Sequence, residues 1–316
     1  MRPFSHHAPT CAALAFAALA TAVLTPVTGE AQVEGFLPKS TFMSVSTRAM
    51  ALGDSYMMNA GHADAVFYHP ALLTNASGFG IDVQRWSASG TAAAISGATT
   101  FLGGGIAVGL RTLQYGAPGT GALAAPAGQD HLFADGPVGV SERVATIGYA
   151  REVFLGIDLG VAVDLVDQRV GANRGGVTLF DISAARDVGP VVLGLTVQDW
   201  GDKPIVGTDR KPQRVTFGAG AYGKQLGIFD LGFAAHVGAN DDEFTYGGGV
   251  EIGYWPIQGR TFVARVGFAE VPDGSDASPL TTGFALWADD FTIEWAFRPF
   301  SGADEGGTHR FGVRWR

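Results

Sequence analysis

The chain has 316 residues, 47% hydrophobic and 16% charged, with 46 glycines, 21 phenylalanines and a formal charge of −9. An acidic chain without a basic stripe has nothing to track phosphates, which excludes a nucleic-acid partner. No run past the N-terminus approaches the ~20 apolar residues of a helical membrane span, and mean hydropathy is only +0.17.

The first segment, 1–31, has the order of a secretory signal. Arg2, His6 and His7 precede an apolar run from Cys11 to Leu24, followed by Pro26 and the small-x-small stretch Gly29-Glu30-Ala31. That run is short for a membrane span, and cleavage is expected near Ala31–Gln32. Cys11 is the one cysteine, and its loss with the signal would leave no thiol, disulfide or cysteine metal site. Because Cys11 precedes the apolar core, a lipoprotein signal does not fit.

Residues 32–78 do not alternate. They contain Thr47-Arg48-Ala49-Met50-Ala51-Leu52-Gly53-Asp54-Ser55-Tyr56 and then Ala63-Asp64-Ala65-Val66-Phe67-Tyr68-His69-Pro70-Ala71-Leu72-Leu73. His69, beside a proline, reads as a turn residue rather than a ligand.

From 79 to 316 the chain falls into period-2 segments, the pattern of transmembrane strands. In 153–165, Val153, Leu155, Ile157, Leu159, Val161, Val163 and Leu165 share one face, against Gly156, Asp158, Gly160, Ala162 and Asp164. Later segments repeat this: Phe229, Leu231, Phe233, Ala235 and Val237 oppose Asp230, Gly232 and His236, while Phe291, Ile293, Trp295 and Phe297 oppose Thr292, Glu294 and Arg298. Unpaired mid-strand charges are costly in a packed core, whereas a barrel lumen lets them meet water or each other. Asp164, Glu251, Arg265, Glu294 and Arg298 are therefore read as lumenal. The segments number about fourteen, an even count as single-chain bacterial barrels have. The reading is all-β, a transmembrane antiparallel barrel. Links after even strands are short, at Glu152, Val188-Gly189, Gly223-Lys224-Gln225 and Asp289, whereas 115–141 is the longest. Short periplasmic turns and long outer loops would put both termini in the periplasm.

The Arg-Ala-x-x-x-Gly segment at 48–53, the Asp64-Ala65 pair and His69-Pro70-Ala71 together resemble the opening signature of FadL/PorV-type outer-membrane barrels. His69 stands where that family has Asn, and the chain ends Trp315-Arg316 rather than on an aromatic residue. The resemblance implies fourteen strands, an outer-membrane location and residues 32–78 tucked inside as a hatch or plug, carried by Arg48, Ala49, Gly53, Asp64, Ala65, His69, Pro70 and Ala71.

Gly218-Ala219-Gly220-Ala221-Tyr222-Gly223 matches a dinucleotide fingerprint literally, but it lies inside an alternating segment with no helix to follow. No zinc, hydrolase or cofactor motif is visible, so no enzyme, metal or cofactor is expected. Two functions remain. The compact length resembles the PorV/PorQ branch, a partner-binding barrel serving protein secretion or surface attachment. Leu123, Leu132, Phe133, Val138 and Val271 in expected outer loops suit an exported protein or secretion components. The alternative is a FadL-like passive transporter of hydrophobic ligands, which requires an apolar pocket between the N-terminal segment and the wall. Either way the lipid of the outer membrane is the surrounding partner.

Overall fold

The computed structural model describes Ser40 and residues 43–56, 61–86, 90–117, 138–171, 173–201, 213–240, 244–257, 260–271, 277–300 and 307–315. The expected signal, 1–31, and the centres of several loops lie outside these residues.

Fourteen strands close into one antiparallel barrel. They are β1 Gly78–Trp86, β2 Gly90–Phe101, β3 Gly104–Ala117, β4 Val138–Phe154, β5 Ile157–Val170, β6 Asn173–Val188 and β7 Val191–Trp200. The circuit continues through β8 Arg214–Leu226, β9 Phe229–Ala239, β10 Phe244–Ile257, β11 Arg260–Ala269, β12 Leu280–Ala288, β13 Phe291–Arg298 and β14 Thr308–Trp315. Each strand pairs with its sequence neighbours, and β14 returns to β1 in a register running from Phe79↔Trp315 to Arg85↔His309. Closure leaves no strand edge unpaired, the condition for crossing a bilayer with strands.

The faces divide as the alternation predicts. Val161, Phe217, Phe233, Val250, Ile252, Val266, Phe284 and Ile293 all point out and are exposed, while Asp164, Glu251, Arg265 and Glu294 are buried inside. A water-soluble protein does not expose so wide an apolar belt; a bilayer-spanning barrel requires it. Phe101, Phe154 and Trp315 ring one end of the belt, with Trp200 and Phe244 near the other.

Among the described residues, five tight hairpin links gather at one end, called the turn end here. Leu102-Gly103 and Leu155-Gly156 each carry two successive positive φ values, the twist that two-residue hairpins favour. Several sequence expectations shift accordingly. Glu152 lies within β4, whose hairpin turns at Leu155-Gly156, so Val153 and Phe154 belong to β4 and Leu155 to the turn. Likewise Gly223-Lys224-Gln225 lies inside β8, which runs on through a register shift between Ala221 and Lys224 to turn at Gly227-Ile228. At Leu155 the alternation crosses the turn without a break, and in β8 the polar, register-shifted stretch at Gly223 mimics a turn before the true one, so sequence pattern alone misplaces both. The Gly218–Gly223 stretch is wholly strand. The longest link is shorter than 115–141 at both ends, because β3 reaches Ala117 and β4 begins at Val138, the two being paired; its centre, with Leu123, Leu132 and Phe133, lies outside the described residues.

Candidate functional site

The N-terminal segment lies inside this wall. It consists of a short helix α1 (Thr47–Ala51) and two 3-10 helices, Ala63–Phe67 and Pro70–Asn75, all but a few of whose residues are buried. Ser40 donates its backbone N–H to Glu142 near the loop end of β4, while the second 3-10 helix packs at the turn end, leading into β1. Small residues let it seat against the wall. A Cβ on Gly53, which has φ +65°, would lie 2.1 Å from the Phe268 carbonyl oxygen. On the opposite wall a Cβ on Gly160 would lie 2.2 Å from the Ala71 backbone nitrogen, and one on Gly105 would strike the Leu73 carbonyl. Several glycines are thus sockets for the segment. Ala49, Ala65 and Ala71 join a buried cluster with the wall residues Ala94, Ala107, Ala150 and Ala185.

Charges then tie the two parts together. Arg48 reaches Glu251 at 2.6 Å; Glu251 meets Arg265 at 3.0 Å; and Arg265 meets Glu294 at 3.1 Å. From Glu294 the chain continues to Arg314 at 3.4 Å, which also holds Asp64 at 2.8 Å and Asp82 at 3.1 Å. Three arginines and four carboxylates alternate, so each buried charge faces an opposite one, without which burial would be prohibitive. Arg48 and Asp64 belong to the segment and the others to β1, β10, β11, β13 and β14. Thr47 donates its N–H to Asp82 at 2.7 Å, and the Tyr56 hydroxyl to Asp64 at 2.5 Å. Arg298 pairs at 2.5 Å with Asp54, just past Gly53.

Every residue singled out from the sequence therefore lies on this seam, with two exceptions. Asp164 sits apart on β5, held by Arg111 at 3.3 Å and by the Thr146 hydroxyl. Its neighbours Asp181 and Asp199 bring one carboxylate oxygen each to within 4.8 Å of the others, and Gln198 and the Asp199 N–H already bind Asp181. That trio could present oxygen ligands to a hard cation. His69 precedes the second 3-10 helix but makes no side-chain cap; its ring is buried against the backbone of Leu195 and of His69 itself. Burial lowers its pKa to about 4, keeping it neutral. Asp82 and Arg111 were not foreseen. Arg314, which the alternation of the last segment sets opposite Phe311, Val313 and Trp315, is buried inside as that alternation predicts.

Above the segment, toward the loop end, lies a cavity of about 580 Å³. Its floor is formed by Met43, Val45, Tyr56, Phe67, Tyr68 and His69, and its walls include Arg111, Thr196, Arg214, Thr216, Thr245 and Arg298. Tyr56 and Tyr68 stack at 4.4 Å between ring centroids, and Arg111 lies over the Phe67 ring. The volume is that of a small-molecule pocket. Its lining is mixed, not the purely apolar surface expected for a hydrophobic cargo.

With this geometry, the barrel matches solved outer-membrane channels. The toluene transporter TodX of Pseudomonas putida superposes with a TM-score of 0.56 at 11% identity, over 90% of this chain and 97% of that one. CymD, a monoaromatic hydrocarbon channel, matches with a TM-score of 0.56 at 10% identity, over 86% and 96%. The likeness is one of fold. No protein-family description matches the sequence, and no curated protein does. The fold expected from the FadL-type resemblance is thus met; its PorV/PorQ branch is not distinguished.

Proposed function

We propose that the protein is a passive outer-membrane channel for hydrophobic small molecules, with residues 43–77 as the hatch that closes it. The cavity carries this reading. It lies directly on the buried N-terminal segment, is floored by aromatic rings, and has the size of a small ligand. The fold shared with toluene and monoaromatic hydrocarbon channels supports the same choice. This replaces the partner-binding role preferred from the sequence: the secretion role finds no support among the matched structures, and most of the loop residues invoked for it lie outside the described chain.

A fold does not fix a function, so transport itself must be measured. The gene would be expressed in a Gram-negative host with an intact lipopolysaccharide leaflet, and entry of labelled toluene compared with an empty vector. Faster entry is expected. Unchanged entry, together with a protein that co-purifies stoichiometrically with the barrel, would return the secretion role.

A further inference from the structure

Resting on the channel reading, we infer that the cavity selects an aromatic carboxylate, a ring bearing a planar oxyanion, rather than a bare hydrocarbon. The observation is a lining rich in donors and cationic side chains. Arg111, Thr196, Arg214 and Arg298 all line this cavity. Desolvated donors need acceptors, so such a lining favours an acceptor-rich occupant. A hydrocarbon would offer them none.

The three arginines of the cavity are not equivalent. Arg298 is neutralised by Asp54 at 2.5 Å and Arg111 by Asp164 at 3.3 Å. Arg214 has only the neutral Gln198 oxygen, at 2.8 Å, and no carboxylate among the described residues. It is the guanidinium left to take an anion, and its planar fork matches a carboxylate. Gln198 also donates to the Phe67 carbonyl at 3.4 Å, which sets this corner beside the Phe67 ring. The neutral His69 imidazole lines the same floor. Phe67 and the stacked Tyr56–Tyr68 pair give the ring its surface.

Glu270 fixes the direction of the ligand. It lines the cavity from the end of β11, and one of its oxygens is buried without a partner. Strands β9 and β10 separate it from Arg214 in the barrel circuit, so an anion is repelled from that side and drawn to the other.

The test uses the purified barrel in detergent and titration calorimetry with three probes: toluene, benzoate and cyclohexanecarboxylate. Benzoate is expected to bind most tightly of the three. Arg214→Met should lower the benzoate-to-toluene affinity ratio about tenfold or more, the effect of losing one charge-assisted hydrogen bond. Thr196→Val should lower it in the same direction and decides the matter if Arg214→Met does not fold. Toluene binding as tightly as benzoate, no benzoate binding, or a ratio unmoved in the folded variants overturns the proposal. The channel reading fails separately: if toluene entry into cells is not accelerated while benzoate binds through Arg214, the site stands and the transport role falls.

Discussion

Arg48 and Glu251 stand 203 positions apart in sequence, and their side chains meet at 2.6 Å inside the barrel, both almost wholly buried. This contact joins the N-terminal segment to β10 and, through Arg265, to the wall beyond. Without Arg48, Glu251 must share Arg265 with Glu294, and a buried charge left short of its partner costs up to about 3–5 kcal/mol. Arg48→Met should therefore loosen the segment while the strands stay closed. In planar bilayers the variant is expected to conduct ions more strongly than the wild type, with unchanged strand content by circular dichroism. Equal conductance would mean that the ion chain does not hold the segment in place.

The glycine sockets make a sterically defined version of the same experiment. Gly160→Val would place side-chain atoms where the Ala71 nitrogen now lies, 2.2 Å from the ideal Cβ. The wall strand can accept valine, whose β propensity is high, so the segment must move. Amide hydrogen exchange across 61–77 should rise sharply in this variant. Gly97→Ala is the control, since its Cβ would meet only the Gly78 carbonyl at 4.0 Å. A rise in both variants would point to general loosening.

Adjacent residues on β8 test the two faces. Phe217 is 48% exposed on the outer belt, and Thr216 lines the cavity. A lipid-facing arginine costs up to about 2–4 kcal/mol, whereas a lumenal one stays hydrated. Phe217→Arg should reduce folding yield into lipid vesicles much more than Thr216→Arg. Similar yields would show that the outer face is not in lipid.

His69 gives a pH dependence of known sign. Burial depresses its pKa from 6.5 to about 4, so between these values the unfolded chain takes up a proton that the folded one refuses. Stability from this group is complete above pH 6.5 and falls as the pH drops toward 4. His69→Gln should flatten that decline when urea unfolding is followed at pH 7 and pH 4.5. An identical decline in both proteins would assign it to other groups.

The sequence by itself determined the barrel. Period-2 alternation is local, and a lipid outside with a polar lumen inside imposes it strand by strand, so the faces of Glu251, Arg265, Ile293 and Glu294 were legible residue by residue. Strand ends were less so at Leu155, where alternation runs through a hairpin turn as easily as through a strand, and at Gly223, where a polar, register-shifted stretch inside β8 mimics a turn. The tertiary structure decided what those lumenal charges do. Arg48, Asp64, Asp82 and Arg314 come from distant parts of the chain and become partners only when closure sets them around one interior. The cavity was likewise hidden: Arg111, Thr196 and Arg214 lie on three strands with no shared motif, and they surround one space only where the N-terminal segment floors it.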